Sequence, residues 1–389
     1  MNQVKINFDC KYFLGDRPCA PNKTYGVFCP ECTLYEKDES IVEPFPDIEK
    51  ASSLPEKAET ILIIKLDAAG DVLRTTSILP SLKEKYPDAE IKWITKSKSF
   101  PMLKDNELID EIYFDEAELS HICNDAFDIA LNFDSGTESC RIMNSITANY
   151  KFGYELVNNK PVPVNELALE WYLMGVDDNR KKSNRKTYHE IIHEICGLDY
   201  SGSKPQLTLN IKSIASVKEK FHIDSADKMI LINLGGGNRW QYKKWTKEGF
   251  VELITLLAQV EDRRVVGVIA GNEDRDFYKE VKHAVGNKQN IVYFGCNNSV
   301  DDFISIIYLS NKLFTSDSLA LHIATALNKY VVCVVGPTSH TELDVFGNGK
   351  IVYSDKVDCL CCYLNRCDKQ VTCMNTISAE NIADLLTEK

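Results

Sequence analysis

Several short stretches of this chain set glycine beside charged or hydroxyl residues in patterns suited to chemistry on an anionic ligand. In Leu66 to Val72, LDAAGDV, Gly70 permits a sharp turn after an apolar run, and Asp71 falls at the start of a helix. A carboxylate there serves as a helix cap, or as a general base taking a proton from an acceptor hydroxyl, and the two roles are compatible. In GGGNRWQYKKWT, Gly235, Gly236 and Gly237 let backbone amides approach an anion. The helix starting near Thr246 offers its positive end, and Lys243 or Lys244 adds a point charge. In TSDSLALHIATAL, Asp317 and Ser318 lie between a strand and an apolar helix, where an aspartate can be a plain N-cap. Gly336, Pro337, Thr338 and Ser339 form another loop able to line a phosphate with amides. Glu273, after the strand VIAG, stands where an acidic side chain binds a ribose hydroxyl, simple solvent exposure being the alternative. Trp245 reads as packing rather than base stacking, and His322 as a structural histidine.

Fourteen cysteines form two clusters and a scatter. Cys10, Cys19, Cys29 and Cys32 end in a Cys-x-x-Cys knuckle, as expected for a structural metal site. In the tail, Cys359, Cys362, Cys367 and Cys373 have knuckle and loop spacing that lets four thiolates converge on one tetrahedral ion, with Cys361 a spare. Zinc, iron and an iron-sulfur cluster are not separable by spacing. Cys123, Cys140, Cys196, Cys296 and Cys333 read as ordinary buried small residues.

The elements that must hold these residues alternate along the chain. From Thr60, ILIIKL, EIKWIT, EIYF, FDIALNF and NYKFGYEL are short strands with helical stretches between them, the pattern of a parallel sheet with crossover helices. Leu156 to Asn210 is less regular. A second alternating series follows, MILINLGGG, RVVGVIAG, NIVYF, KLFTS and YVVCVVGPT. The expected organisation is a four-cysteine module over 1–40, a linker over 41–59, and two doubly wound α/β domains over 60–210 and 211–389.

The formal net charge of -12 disfavours a nucleic-acid surface. The N-terminal residues lack a signal-peptide pattern and no apolar stretch is long enough to span a bilayer, so a cytoplasmic protein without integral membrane contact is expected.

From Thr60 to Lys389 the sequence resembles glycosyltransferase family 9, the bacterial heptosyltransferases. The resemblance rests on ILIIKLDAAGDVLRTTSILPSLKEKYPDAEIKWIT, LINLGGGNRWQYKKWTKEGF, SDSLALHIATAL, VVGPTS and the tail ending CMNTI, in that order. It implies the GT-B fold, two Rossmann-like domains facing across a cleft, and inverting transfer from a nucleotide sugar, ADP-heptose first. The acceptor would be a lipopolysaccharide core sugar or a protein serine or threonine. It also implies that Asp71 is the base, that Lys243 rather than Lys244 meets the phosphate, and that Asp317 lies near the donor sugar. Some related protein heptosyltransferases contain iron, which keeps iron beside zinc as the structural metal. No catalytic divalent metal is needed if lysine and amides neutralise the leaving group. The homo-oligomeric state stays open. The rival expectation is a non-catalytic, metal-dependent interaction or nucleotide-sensing protein on the same scaffold.

Overall fold

The computed structural model describes residues 6–29, 31–41, 48, 54–114, 122–224, 228–237, 241–259, 264–364 and 367–388. Most of the linker expected over 41–59, and Asn238 to Trp240 of the glycine loop, lie outside the described residues. The chain divides into two compact units, Met1–Ser203 and Lys204–Lys389.

The first unit is built on six strands, β1 (Thr60–Ile64), β2 (Glu90–Ile94), β3 (Glu111–Tyr113), β4 (Ala126–Asn132), β5 (Thr147–Val157) and β6 (Lys160–Pro163), in the order β3-β2-β1-β4-β5-β6. The first four pairings are parallel, and β6 adds antiparallel to β5. Ile61, Leu62, Ile63 and Ile64 are fully buried, as a central parallel strand covered on both faces requires. The chain winds outward from β1 through β2 and β3, then returns to β4 on the other side. The strand order therefore reverses between β1 and β4, and the crevice beyond the C-terminal ends of those strands is where open α/β sheets bind ligands.

The stretch after Leu156 is more ordered than its sequence suggests. It contains β6 and the helices Glu166–Val176, Asp178–Ser183 and Tyr188–Ile195. Two prolines in KPVP hide β6, because proline cannot serve a central ladder, yet an edge strand tolerates it. The front cysteine residues belong to this unit. Phe8 and Phe13 pack on Tyr172 with ring centroids 6.3 and 6.5 Å away, and Lys160 Nζ donates to the carbonyls of Phe8 and Cys10.

The second unit repeats the winding with β7 (Lys228–Asn233), β8 (Arg264–Ile269), β9 (Ile291–Gly295), β10 (Lys312–Ser316), β11 (Tyr330–Val335) and β12 (Gly349–Tyr353), all parallel, in the order β12-β11-β10-β7-β8-β9. Its switch point falls between β7 and β10. Trp245, 2% exposed, packs edge-on against Phe250 and Phe314 in the core below that point, the packing role its sequence position suggests.

Candidate functional site

At the switch point of the first sheet, β1 runs into Lys65 and β4 into Asp134. Lys65 is nearly fully buried, and an ammonium is tolerated there only with a partner. Asp134 is that partner: Lys65 Nζ is salt-bridged to Oδ1, and Oδ2 accepts the Leu66 N–H at 2.7 Å. Burial works to lower the Lys65 pKa, but the charges of Asp134, Tyr188 and Asp71 overcome it and hold the ammonium form.

Asp71 is the third residue of the helix Ala69–Thr75, whose N-cap position is Ala68 rather than Asp71. Its carboxylate, 39% exposed, pairs through Oδ1 with Arg74 Nη2 at 2.9 Å. The Arg74 guanidinium carbon lies 3.7 Å from the ring centroid of Tyr188. Tyr188 is buried at the start of the helix Tyr188–Ile195, which a Thr187–Glu190 capping box initiates. The Thr75 hydroxyl donates to the Asp71 carbonyl at 2.7 Å, and the Tyr188 hydroxyl lies 2.7 Å from the same Thr75 oxygen.

At the second switch point, the loops after β7, β10 and β11 meet. Asn233 Nδ2, at the end of β7, donates to the Gly235 carbonyl at 3.1 Å, Thr315 Oγ1 at 3.0 Å and Ser318 Oγ at 3.2 Å. Lys243 Nζ pairs with Asp317 Oδ2 at 2.7 Å, and that oxygen also accepts the Thr338 hydroxyl at 2.7 Å. Burial of Asp317 pushes its pKa up, but the Lys243 charge and hydrogen bond, aided by His322 and Thr338, outweigh it and hold the carboxyl below its ordinary range. The N-cap of the helix Leu319–Ala326 is Ser318, so Asp317 is not the plain cap its position allowed. Lys244 turns elsewhere, to the buried Asp274.

The glycine loop has identifiable steric reasons. A methyl on Gly236 would come within 2.7 Å of Lys244 Cγ, and Gly237 holds a φ of +72°, a left-handed conformation that side chains resist. Glu273 is exposed, in the short turn Asn272–Asp274. The Thr338 loop carries the cysteine tail on its back. Cys361 N–H donates to the Gly336 carbonyl at 3.3 Å, Tyr363 N–H to the Pro337 carbonyl at 2.9 Å, and Ser339 N–H to the Tyr363 hydroxyl at 3.0 Å. A methyl on Gly336 would collide with Cys373 Sγ.

All fourteen cysteines are free thiols. Cys10, Cys19, Cys29 and Cys32 line one cavity of about 20 Å³, with Phe13, Phe28 and Val176 around it. In the tail, burial and then the neighbouring charges of Cys362, Cys359 and Cys367 push the Cys373 thiol up to about 11. Among the described residues, no group of three or more His, Cys, Asp and Glu is arranged to hold a metal ion. No helix among them is long and apolar enough to cross a membrane.

Sequence reasoning missed Lys65, Arg74, Asp134, Tyr188 and Asn233. Only Lys65 left a signal, as the lone charge closing an apolar strand, ILIIKL.

Two doubly wound α/β units, each with polar and charged side chains at its switch point, are the architecture of the GT-B fold. The chain belongs to glycosyltransferase family 9 (heptosyltransferase), whose family model matches residues 119–374. It is 24% identical to lipopolysaccharide heptosyltransferase 1 of Campylobacter coli over 345 residues, covering 84% of this chain and 98% of the relative. The same fold occurs in the crystal structure of the glycosyl transferase family 9 protein from Veillonella parvula, with TM-score 0.68, 15% identity, and 86% of this chain and 97% of that one covered. It also occurs in E. coli ADP-heptose lps heptosyltransferase II, with TM-score 0.62, 16% identity, and coverage of 84% and 97%.

Proposed function

We propose that this enzyme moves a heptose from ADP-heptose to a hydroxyl acceptor with inversion at the anomeric carbon. The acceptor oxygen forms its bond to that carbon as the carbon–diphosphate bond breaks, and the electron pair leaves with ADP. Asp71 takes the hydroxyl proton. Lys243, with amides of Gly235 to Gly237 and the Thr338 loop, faces the negative charge that grows on the leaving diphosphate. Asp317 and Ser318 accept or donate hydrogen bonds to the donor sugar, and Glu273 to the ribose. The observation that supports this most is the convergence of Lys243, Asp317 and Thr338 from three separate loops, because a lysine held by a carboxylate that a hydroxyl in turn fixes is preorganised to meet an anion.

The E. coli neighbour, an ADP-heptose lps heptosyltransferase, supports ADP-heptose as donor, and the Campylobacter coli relative favours a lipopolysaccharide core sugar as acceptor over a protein serine or threonine. We assign one structural ion to the front module, whose Cys10, Cys19, Cys29 and Cys32 line one cavity, and a second to the tail cysteines, on their knuckle spacing; zinc and iron both suit thiolate ligands. No reaction step involves either metal. We place the enzyme in the cytoplasm, where clustered cysteines more often bind metal than form disulfides.

The test is incubation with a panel of ADP-, UDP- and GDP-sugars and heptose-deficient lipopolysaccharide, reading released nucleotide by mass spectrometry. ADP should appear with ADP-heptose. Release of UDP or GDP alone would contradict the donor assignment.

A further inference from the structure

Asp71 is tied to one distant side chain by two routes. Through its ring, Tyr188 seats the Arg74 guanidinium at 3.7 Å, and Arg74 Nη2 holds Asp71 Oδ1 at 2.9 Å. Through its hydroxyl, Tyr188 meets Thr75 Oγ1 at 2.7 Å, and Thr75 donates to the Asp71 carbonyl at 2.7 Å. An ordinary surface pair three residues apart on a helix is weak and mobile. This one differs. The Arg74 side chain is only 12% exposed, and the aromatic ring beneath it is 2% exposed and fixed by a helix more than a hundred residues further along the chain. A planar guanidinium pressed on a ring loses little further freedom when it binds a carboxylate. The more exposed Asp71 thus has its backbone and one carboxylate oxygen anchored to the buried core.

We infer that Arg74, braced by Tyr188, is a positioning residue that fixes the Asp71 carboxylate in the orientation proton removal requires. The inference rests on the reading of Asp71 as the base. Proton transfer depends steeply on geometry, and misplacement of a reacting group by about 1 Å can cost roughly 10²-fold.

The experiment compares the full-length wild type with Asp71→Asn, Arg74→Gln, Arg74→Lys and the double variant Asp71→Asn/Arg74→Gln. It measures single-turnover rate with ADP-heptose and heptose-deficient lipopolysaccharide, calorimetric affinity for ADP, and melting temperature. Arg74→Gln should turn over roughly 10²-fold more slowly with ADP affinity within about twofold of wild type, a split that a general structural defect would not give. The double variant should be no slower than Asp71→Asn alone, since an absent base cannot be mispositioned. Arg74→Lys keeps the charge but not the planar stacking, and should recover about tenfold of the loss. Should Arg74→Gln melt below the assay temperature, Arg74→Lys carries the same test, slower than wild type by about tenfold at unchanged ADP affinity. A wild-type rate in the Arg74 variants, or losses that multiply in the double variant, would overturn the positioning role while Asp71→Asn stays slow. Wild-type turnover by Asp71→Asn would instead remove the base reading, and the positioning role with it.

Discussion

Lys243 and Asp317 meet at 2.7 Å although 74 residues separate them, and the Thr338 hydroxyl shares the same carboxylate oxygen. Each side chain is less than one-fifth exposed, so the pair is a largely desolvated one in which either partner alone would be costly.

Removal of Lys243 should therefore have two consequences. If Lys243 faces the leaving diphosphate as proposed, Lys243→Ala should lose on the order of 10²-fold in turnover. It should also lose roughly 3 kcal/mol of stability by leaving Asp317 buried without its cation. Lys244→Ala strands Asp274 instead, and should destabilise comparably while the folded protein keeps its turnover. Rates and denaturant midpoints on both variants decide the register: an inactive Lys244→Ala beside an active Lys243→Ala would assign the phosphate to Lys244.

Stability should fall on mild acidification through His193. This residue is fully buried, its Nδ1–H donates to the His189 carbonyl at 2.7 Å, and its Nε2 accepts from Ser81 at 3.0 Å. Burial lowers its pKa, against the opposing pull of the His189 carbonyl. With the folded pKa below the unfolded value, the unfolded chain binds the proton more readily. The stabilisation is complete above the unfolded pKa of about 6.5 and declines as pH falls below it, by at most about 1.4 kcal/mol per pH unit. Urea titrations from pH 7.5 to 5.5 should show the gap between wild type and His193→Gln narrowing toward acid. A gap independent of pH would contradict this.

The alternation of apolar runs and glycine-ended loops carried both sheets, because a parallel strand buried on both faces must be apolar throughout and its crossover must be helical. The places of Asp71, Lys243, Asp317 and Thr338 were legible for the same reason: Asp71 opens the helix that follows β1, and the other three lie in the connections that leave β7, β10 and β11. What they touch was not legible. Lys65 finds Asp134, Arg74 finds Tyr188, and Asn233 finds Thr315, each across at least 69 residues, and no local period encodes such a pairing. The short edge strand β6 was lost to its two prolines.

The cysteine tail packs on the Thr338 loop, so a metal held there would act on the proposed donor site by mechanical support alone. Elemental analysis should find about one zinc or iron for this site, and a second for the front module. Chelation should lower the melting temperature and weaken ADP binding together, since Tyr363 and Cys361 brace the loop from Gly336 to Ser339. Metal-free protein with reduced cysteines and full thermal stability would rule out the structural metal.

Asp71→Asn separates a base from a merely structural carboxylate, because the amide keeps the size of the side chain and removes the lone pair that accepts the proton. Single-turnover rate, ADP affinity and melting temperature should be measured on one preparation. With Asp71 as the base, the variant should be a folded protein that binds ADP normally and turns over roughly 10²-fold to 10⁴-fold more slowly. Near wild-type turnover, with only a modest loss of stability, would contradict it.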